Sequence, residues 1–312
     1  TLADRVNAQK GTGAVWIVGN EPDDRYIPEA SLQQDSITPD DYAQRFYTVA
    51  TQIRSLDPTA KIGFGTIVQP TPIRLAYLDR VVQKLSDLAG GQDQAFALID
   101  LFTPHAFNLN EDPGSWGSGI PLGMDDLASL AQVITIDQTY DINLFKDKVQ
   151  AYRAWMSKYG QTNKPMWITE FGVLPAPQDP PNGTDYANVS DEVTRDYMLQ
   201  AFDYVMTTKD NTVGYAADDY RLVQRMFWYS LNDYRYHFGG TLVDPLTKIQ
   251  TIIGDAYMNY TPPAGSVPAV VDRDAYVSPD VVVDPIGHHG ASATVDYRLT
   301  VRVGNNLSAD TL

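Results

Sequence analysis

Two glutamates stand directly after apolar segments that have the composition of buried β-strands. Glu21 follows the sequence VWIVGN, and Glu170 follows MWIT. A carboxyl group at the end of a buried strand is partly shielded from water, which raises the cost of its ionisation. Two such groups about 5 to 5.5 Å apart can cleave a glycosidic bond with retention of configuration, one acting as the acid and the other as the nucleophile.

The segments around these glutamates predict alternating strands and helices. Short runs rich in β-branched and aromatic residues alternate with longer amphipathic runs, which is the pattern of parallel βαβ units. We predict strands at 14–18, 61–66, 99–103, 165–169 and 225–230. We predict the helices that follow them at 38–56, 71–88, 143–159, 190–208 and 249–259. The long connections at 108–141 and 174–189 lie after strands, where α/β barrels build their active sites.

Two short motifs resemble those of the retaining (β/α)8-barrel glycoside hydrolases of clan A. They are NEP at 20–22 and TEFG at 169–172, in this order and each at a predicted strand end. The resemblance implies a partial TIM (β/α)8 barrel that contains strands four to eight. It also implies that Glu21 is the acid/base, that Glu170 is the nucleophile, and that Asn20 binds the 2-hydroxyl of the sugar.

The same resemblance implies further substrate-binding residues. His105 follows the third predicted strand, where the clan often carries a His-x-Tyr arrangement that positions the nucleophile, but here the third residue is Phe107. Trp228, at the end of the last predicted strand, matches the aromatic platform on which a sugar ring stacks. Asp233 and Tyr234 follow that strand and are expected to reach the mouth of the barrel.

The organisation along the chain predicts two domains. Residues 1–260 are expected to be the C-terminal part of a TIM-barrel catalytic domain whose N-terminal strands are missing, because five βα units do not close an eight-stranded barrel. Residues 261–268, which begin TPPAGS, are expected to be a linker. Residues 269–312 alternate in period two and are expected to be the start of a β-sandwich (Ig-like) domain.

Composition excludes several classes of function. The net charge of −16 at pH 7 opposes binding to nucleic acid or to anionic lipid. The chain has no cysteine, and its four histidines show no metal-binding spacing, so we expect neither a metal nor an organic cofactor. The apolar runs are too short for membrane insertion. The expected partner is a carbohydrate substrate, the oligomeric state is open, and the family resemblance implies an extracellular or cell-surface location.

Other interpretations of the same residues stay open. Glu21 could instead be a loop carboxylate paired with Arg25, and Trp228 could be a core residue. The whole chain could be a non-catalytic carbohydrate-binding or cell-surface module on a barrel scaffold. Transglycosylation, with a sugar replacing water as the acceptor, would use the same two glutamates. The sugar, the linkage and endo or exo action are not determined by these residues.

Overall fold

The described part of the protein is a parallel sheet with helices in its connections. A computed structural model describes residues 1–25, 35–175, 189–233 and 238–266. The chain divides into the units Thr1–Val267 and Pro268–Leu312. The predicted β-sandwich segment and Tyr234 lie outside the described residues.

Within the described residues, five strands run in the same direction and in chain order. They are β1 (Val15–Ile17), β2 (Lys61–Phe64), β3 (Leu101–Phe102), β4 (Trp167–Phe171) and β5 (Arg225–Trp228). β1 pairs with β2, β2 with β3, and β4 with β5, all parallel. A parallel bridge between Phe102 and Met166 joins the two groups. This order agrees with the predicted partial barrel, in which each strand lies beside the next one in the chain.

The described helices are the five that the sequence predicts and two further short ones. They are α1 (Leu2–Ala8), α2 (Pro39–Leu56), α3 (Pro72–Ala89), α4 (Gln92–Ala97), α5 (Ile142–Lys158), α6 (Asp191–Thr207) and α7 (Ile252–Asn259). Side chains of Thr38, Asp141, Ser190 and Thr251 accept hydrogen bonds from the first-turn backbones of α2, α5, α6 and α7. These caps satisfy amides that a helix cannot pair internally. Within the described segments, no helix is both long enough and apolar enough to cross a membrane.

The core lies between the strands and the helices and is rich in aromatic rings. Phe64 of β2 stacks on Tyr42 and meets Phe46 and Phe102 edge to face. A second group surrounds Phe171 of β4 and includes Phe145, Phe202 and Trp228. This packing holds the strands against the helices and so fixes the positions of the strand ends from which the loops begin.

The two outer strands of the sheet expose apolar side chains. Ile17 of β1 is 43% exposed and Phe227 of β5 is 48% exposed. Within the described ranges, no strand pairs with the outer edge of β1 or of β5.

Gly65 is required where the chain leaves β2. Its φ is +77°, and an added Cβ would overlap the Tyr152 hydroxyl oxygen. We expect Gly65→Ala to lower the free energy of unfolding by about 2 to 4 kcal/mol, since strain and steric overlap add. Gly90→Ala is the matched control, because its φ is +86° but nothing lies within 4 Å of the added Cβ. Urea unfolding curves measure both variants, and equal losses would contradict the steric argument.

Candidate active site

Three ionisable side chains meet at the end of the sheet that carries the carboxyl ends of the strands. Glu21 lies beyond β1, His105 lies beyond β3, and Glu170 is the fourth residue of β4. Parallel strands have all their carboxyl ends at the same end of the sheet, and this is why residues so distant in the chain meet at that end. The structure therefore brings together the two predicted glutamates and the predicted histidine.

The distances within this group are short. Nδ1 of His105 lies 2.7 Å from Oε1 of Glu21 and 3.8 Å from Oε2 of Glu170. One carboxylate oxygen of each glutamate and a ring nitrogen of His105 all lie within 4.8 Å of one another. The two carboxyl groups therefore lie close enough for both to contact the same small group.

The backbone of Glu21 is held in a tight turn. Its φ is +47°, and its N–H donates to the carbonyl of Thr66 at 3.0 Å. The N–H of Asp24 closes the turn by donating to the carbonyl of Glu21 at 3.0 Å. A left-handed conformation at a residue other than glycine costs about 1 to 3 kcal/mol and persists only where its surroundings impose it. The alternative partner, Arg25, instead forms an ion pair with Asp125 at 2.9 Å.

Backbone hydrogen bonds to two neighbouring segments hold His105 in place. Its N–H donates to the carbonyl of Ile67, and the N–H of Ala106 donates to the carbonyl of Glu170, each at 2.9 Å. The imidazole is fully buried and meets the ring of Phe107 edge to face. The ring therefore has little freedom to turn away from the carboxyl groups.

Burial separates the behaviour of the two glutamates. Burial, with the charge of Asp23 as the second cause, raises the pKa of Glu21 to about 8, while Arg74 opposes the shift. The side chain of Glu21 is 7% exposed, whereas that of Glu170 is 31% exposed. At pH 7 Glu21 is therefore protonated and able to donate a proton.

The pKa of Glu170 is also raised, first by burial and then by the charge of Glu21, with His105 acting in the opposite direction. Burial lowers the pKa of His105. We therefore treat the imidazole as neutral at pH 7, so that it serves Glu21 as a hydrogen-bond partner rather than as a counter-ion.

The raised pKa of Glu21 affects the free energy of unfolding. The carboxyl group has a pKa of 4.5 when it is fully hydrated, as in an unfolded chain, and a pKa of about 8 in the folded protein. It therefore binds its proton more tightly when the chain is folded. Its cost to stability begins as pH rises through the unfolded pKa and is complete above the folded pKa. We expect Glu21→Gln to raise the free energy of unfolding by about 1 to 3 kcal/mol at pH 7.

Urea unfolding at pH 5 and pH 8 measures this effect. The gain of Glu21→Gln over the wild type should be larger at pH 8. Glu192→Gln, at the exposed start of α6, is the control and should not share that pH dependence. A gain that is the same at both pH values would contradict the raised pKa.

The other predicted site residues are placed differently from one another. Asn20 is exposed beside Glu21, and its backbone exchanges hydrogen bonds with Asp35. Asp233 is buried, and its carboxylate accepts from the N–H of Phe238 at 3.3 Å. Neither placement tests a contact with sugar, and these two assignments stay predictions.

Trp228 lies on the helical side of the sheet. It is 9% exposed, and its indole N–H donates to the carbonyl of Gly240 at 2.6 Å. Its ring meets Phe171 and Phe202 edge to face. Because the ring is enclosed in this packing, the structure favours the core interpretation of Trp228 over the predicted sugar platform.

Tyr229 is a candidate that the sequence argument missed. It is half-buried, and its ring lies edge to face against Phe107, whose ring in turn meets His105. Successive strand residues point to opposite faces, so the residue after Trp228 turns toward the His105 side. That alternation is the signal that could have identified it.

The same trio also has the composition of a metal site. Glu21, His105 and Glu170 form a compact group of possible ligands among the described residues. Two carboxylates and an imidazole are donors that zinc and other divalent transition metals accept. Binding a metal would require both glutamates to release their protons, and the raised pKa of Glu21 makes that release more costly at pH 7.

Comparison with known proteins gives distant likenesses only. No family model and no curated protein sequence match the chain. The structure is similar to a glucosidase from Croceicoccus marinus, with 15% identity, a TM-score of 0.42, and coverage of 73% of this chain and 36% of that one. A monomeric β-xylosidase from Caulobacter crescentus CB15 gives 14% identity, a TM-score of 0.45, and coverage of 82% and 44%.

An α-L-arabinofuranosidase from Thermotoga maritima gives 14% identity, a TM-score of 0.42, and coverage of 74% and 41%. The chain thus spans less than half the length of each of these three proteins. Any assignment of function therefore rests on the three side chains at the strand ends.

Proposed function

We propose that this chain carries the catalytic carboxyl pair of a retaining glycoside hydrolase that acts on a poly- or oligosaccharide. The observation that supports this most directly is the meeting of Glu21 and Glu170, with oxygens within 4.8 Å, at the carboxyl ends of parallel strands. The different exposure of the two carboxyl groups suits two different roles. The proposed mechanism is double displacement.

In the first step Glu170 is the nucleophile and Glu21 is the general acid. An ionised oxygen of Glu170 attacks the anomeric carbon and forms an ester bond to the sugar. The glycosidic C–O bond breaks as Glu21 gives its proton to the departing oxygen. The leaving alcohol is released, and Glu21 is left ionised.

In the second step water cleaves the ester. Glu21, now a carboxylate, takes a proton from water as the resulting hydroxide attacks the anomeric carbon from the side that the leaving group vacated. The bond to Glu170 breaks, and its electron pair returns to the carboxylate. Two inversions give net retention, and both glutamates return to their starting protonation states.

The neighbouring side chains have supporting roles in this proposal. His105 holds Glu21 through its 2.7 Å contact and separates it from Glu170. Asn20 binds the 2-hydroxyl of the sugar from its exposed position beside Glu21. We assign stacking on the sugar ring to Tyr229 in place of Trp228, because Tyr229 lies next to Phe107 and the site.

The stereochemistry of the first product tests the proposal. The similar solved structures carry the names glucosidase, β-xylosidase and α-L-arabinofuranosidase, so aryl glycosides of those three sugars form the starting panel. Proton NMR of an early time point should show a first-formed sugar with the anomeric configuration of the substrate. A first-formed sugar of the opposite configuration would refute the double displacement, and binding without any turnover would favour a non-catalytic module.

A chelator separates this mechanism from a metal-dependent one. Because the double displacement uses only the two carboxyl groups and water, we expect EDTA to leave turnover unchanged. The measurement is the initial rate on the best aryl glycoside before and after overnight dialysis against EDTA. Loss of activity with EDTA and recovery with added zinc would show that the trio holds a metal.

A further inference from the structure

A buried ion cluster lies beneath the turn that carries Glu21. Its members are Asp23, Arg74 and Glu111, and each side chain is 0% exposed. Taking two carboxylates and one guanidinium out of water is costly unless their hydrogen bonds are satisfied. In this cluster two carboxyl groups share one guanidinium. Because burying these groups is costly, we asked what the cluster does for the neighbouring site.

All five N–H donors of Arg74 have acceptors. Nε donates to Oε1 of Glu111 at 2.8 Å, and Nη1 donates to the carboxylate of Asp23 at 2.5 Å and to its carbonyl at 2.7 Å. Nη2 donates to the carbonyls of Ser118 and Gly119 at 3.2 and 2.9 Å. The planar guanidinium therefore fixes the angle between the turn after β1 and the loop after β3.

Asp23 connects Arg74 to the turn of Glu21. Its carboxylate accepts from the N–H of Val68 at 3.1 Å as well as from Arg74. These partners are donors, which suits an ionised carboxylate. Asp23 lies inside the turn that the bond from Asp24 to Glu21 closes. A shift of Asp23 would thus be passed through the short backbone of this turn to Glu21, whose φ is positive.

Glu111 anchors the other end of the cluster. Its Oε1 accepts from Gln69 at 3.0 Å and from Thr71 at 2.6 Å, and its Oε2 accepts from the N–H of Gln132 at 2.6 Å. It is held by the loop after β2 and by the far end of the loop after β3. Glu111 is therefore the fixed support to which Arg74 is attached, and it is not part of the turn of Glu21.

We propose that Arg74 and Asp23 are positioning residues for the general acid, holding the Glu21 turn in register with the loop after β3 so that the carboxyl group meets the leaving oxygen. This inference rests on the proposed function and adds to it two residues that do not touch the substrate. Arg74, on α3, acts through Asp23, and Asp23 acts through the backbone of the turn.

Asp23 and Arg74 also change the pKa of Glu21 through their charges. After burial, which is the largest cause, Asp23 raises the pKa of Glu21 and Arg74 lowers it. The remaining ionisable neighbours are Asp24, whose own pKa is raised by burial and then by Glu21, together with His105 and Glu170. Removing the charge of Asp23 lowers the pKa of Glu21, so the proton needed for catalysis is lost at a lower pH.

The test compares Asp23→Asn with Glu111→Gln in the full chain. Both changes remove one buried carboxylate charge from the same guanidinium, but only Asp23 belongs to the Glu21 turn. Each variant is assayed on a phenyl glycoside, whose leaving group needs the acid, and on the 2,4-dinitrophenyl glycoside, whose leaving group does not. Circular dichroism melts confirm that the variants are folded at the assay temperature.

For Asp23→Asn we expect kcat/KM to fall about tenfold on the phenyl substrate and to change by less than about twofold on the dinitrophenyl substrate. The alkaline limb of its pH profile should move to lower pH. Glu111→Gln should lower thermal stability to a similar degree without the leaving-group dependence or the pH shift. Arg74→Lys, which keeps the charge but cannot reach all five acceptors, replaces Asp23→Asn if that variant does not fold.

Equal losses on both substrates, or the same pattern in Glu111→Gln, would overturn the positioning role. Glu21→Gln measured in parallel shows whether the proposed function itself holds, since its loss must depend on the leaving group if Glu21 is the acid. If the wild type cleaves none of the panel, the proposed function fails. In that case a carbon-13 titration of the Glu21 carboxyl group in wild type, Asp23→Asn and Glu111→Gln still decides the coupling, because a pKa unaltered in Asp23→Asn would refute it.

Discussion

Replacing Glu170 by alanine is expected to lower kcat by about 10⁴-fold or more, the order of loss that follows removal of a covalent nucleophile. The physical reason is that the variant lacks the group that forms the bond to the anomeric carbon in the first step. Added azide should restore part of the rate on an activated aryl glycoside. It fits the space that the side chain vacates and attacks in its place, giving a glycosyl azide of inverted configuration.

The control for this experiment is Glu192→Ala. Glu192 is an exposed glutamate in the first turn of α6, so its loss removes a carboxylate without touching the site. It should retain wild-type turnover and show no response to azide. Near-normal activity of Glu170→Ala, or a rate that azide leaves unchanged, would remove Glu170 from the nucleophile role.

Replacing Glu21 by glutamine should lower kcat/KM by about 10² to 10⁴-fold on a phenyl glycoside, which is the contribution of a well-placed general acid. The dinitrophenyl glycoside should be cleaved with little loss in the glycosylation step, because its leaving group needs no proton. Glutamine keeps the size of the side chain and a hydrogen bond to His105, so the change isolates the proton.

The pH profile gives the sign of the same effect. With a pKa of about 8, Glu21 is protonated below that pH and loses its proton above it. The wild-type kcat/KM should therefore fall on the alkaline side with a midpoint near the same value, and Glu21→Gln should lack that limb. An alkaline limb that persists in the variant would assign it to another group.

The sequence predicted the order of the elements well because each one has a local signal. The strands at 61–66 and 225–230 are recognisable from β-branched and aromatic runs, and they form at Lys61–Phe64 and Arg225–Trp228. The helix ends are recognisable from capping residues such as Ser190. Short helices such as Gln92–Ala97 have no side-chain cap and were not predicted.

The partners of the site residues were less accessible to sequence reasoning because they depend on distant contacts. His105 was expected to position the nucleophile, but its shorter contact is with Glu21. Arg74 reaches Asp23, 51 residues away, and Glu111, 37 residues away, and no local pattern indicates either contact. Charged residues at 0% exposure cannot be separated from surface charges by residue type alone.

Side-chain direction was the other missing information. Trp228 stands at a strand end, as a sugar-stacking residue would, but its ring packs against Phe202 of α6, on the helical side of the sheet. A register irregularity between β4 and β5 lies at this point, where Phe171 pairs with Trp228. Successive side chains of a strand point to opposite faces of the sheet. The sequence places the end of β5 only to within one residue, so it does not determine whether Trp228 or Tyr229 faces the site.

Trapping of the covalent intermediate tests the central claim most directly. The 2-deoxy-2-fluoro analogue of the best dinitrophenyl glycoside slows both steps, but its activated leaving group lets the first step proceed. Intact mass spectrometry should show one sugar added per chain, and peptide mapping should locate it on Glu170. A sugar attached to a different residue, or inactivation of the wild type with no added mass, would contradict the assignment of Glu170 as the nucleophile opposite Glu21.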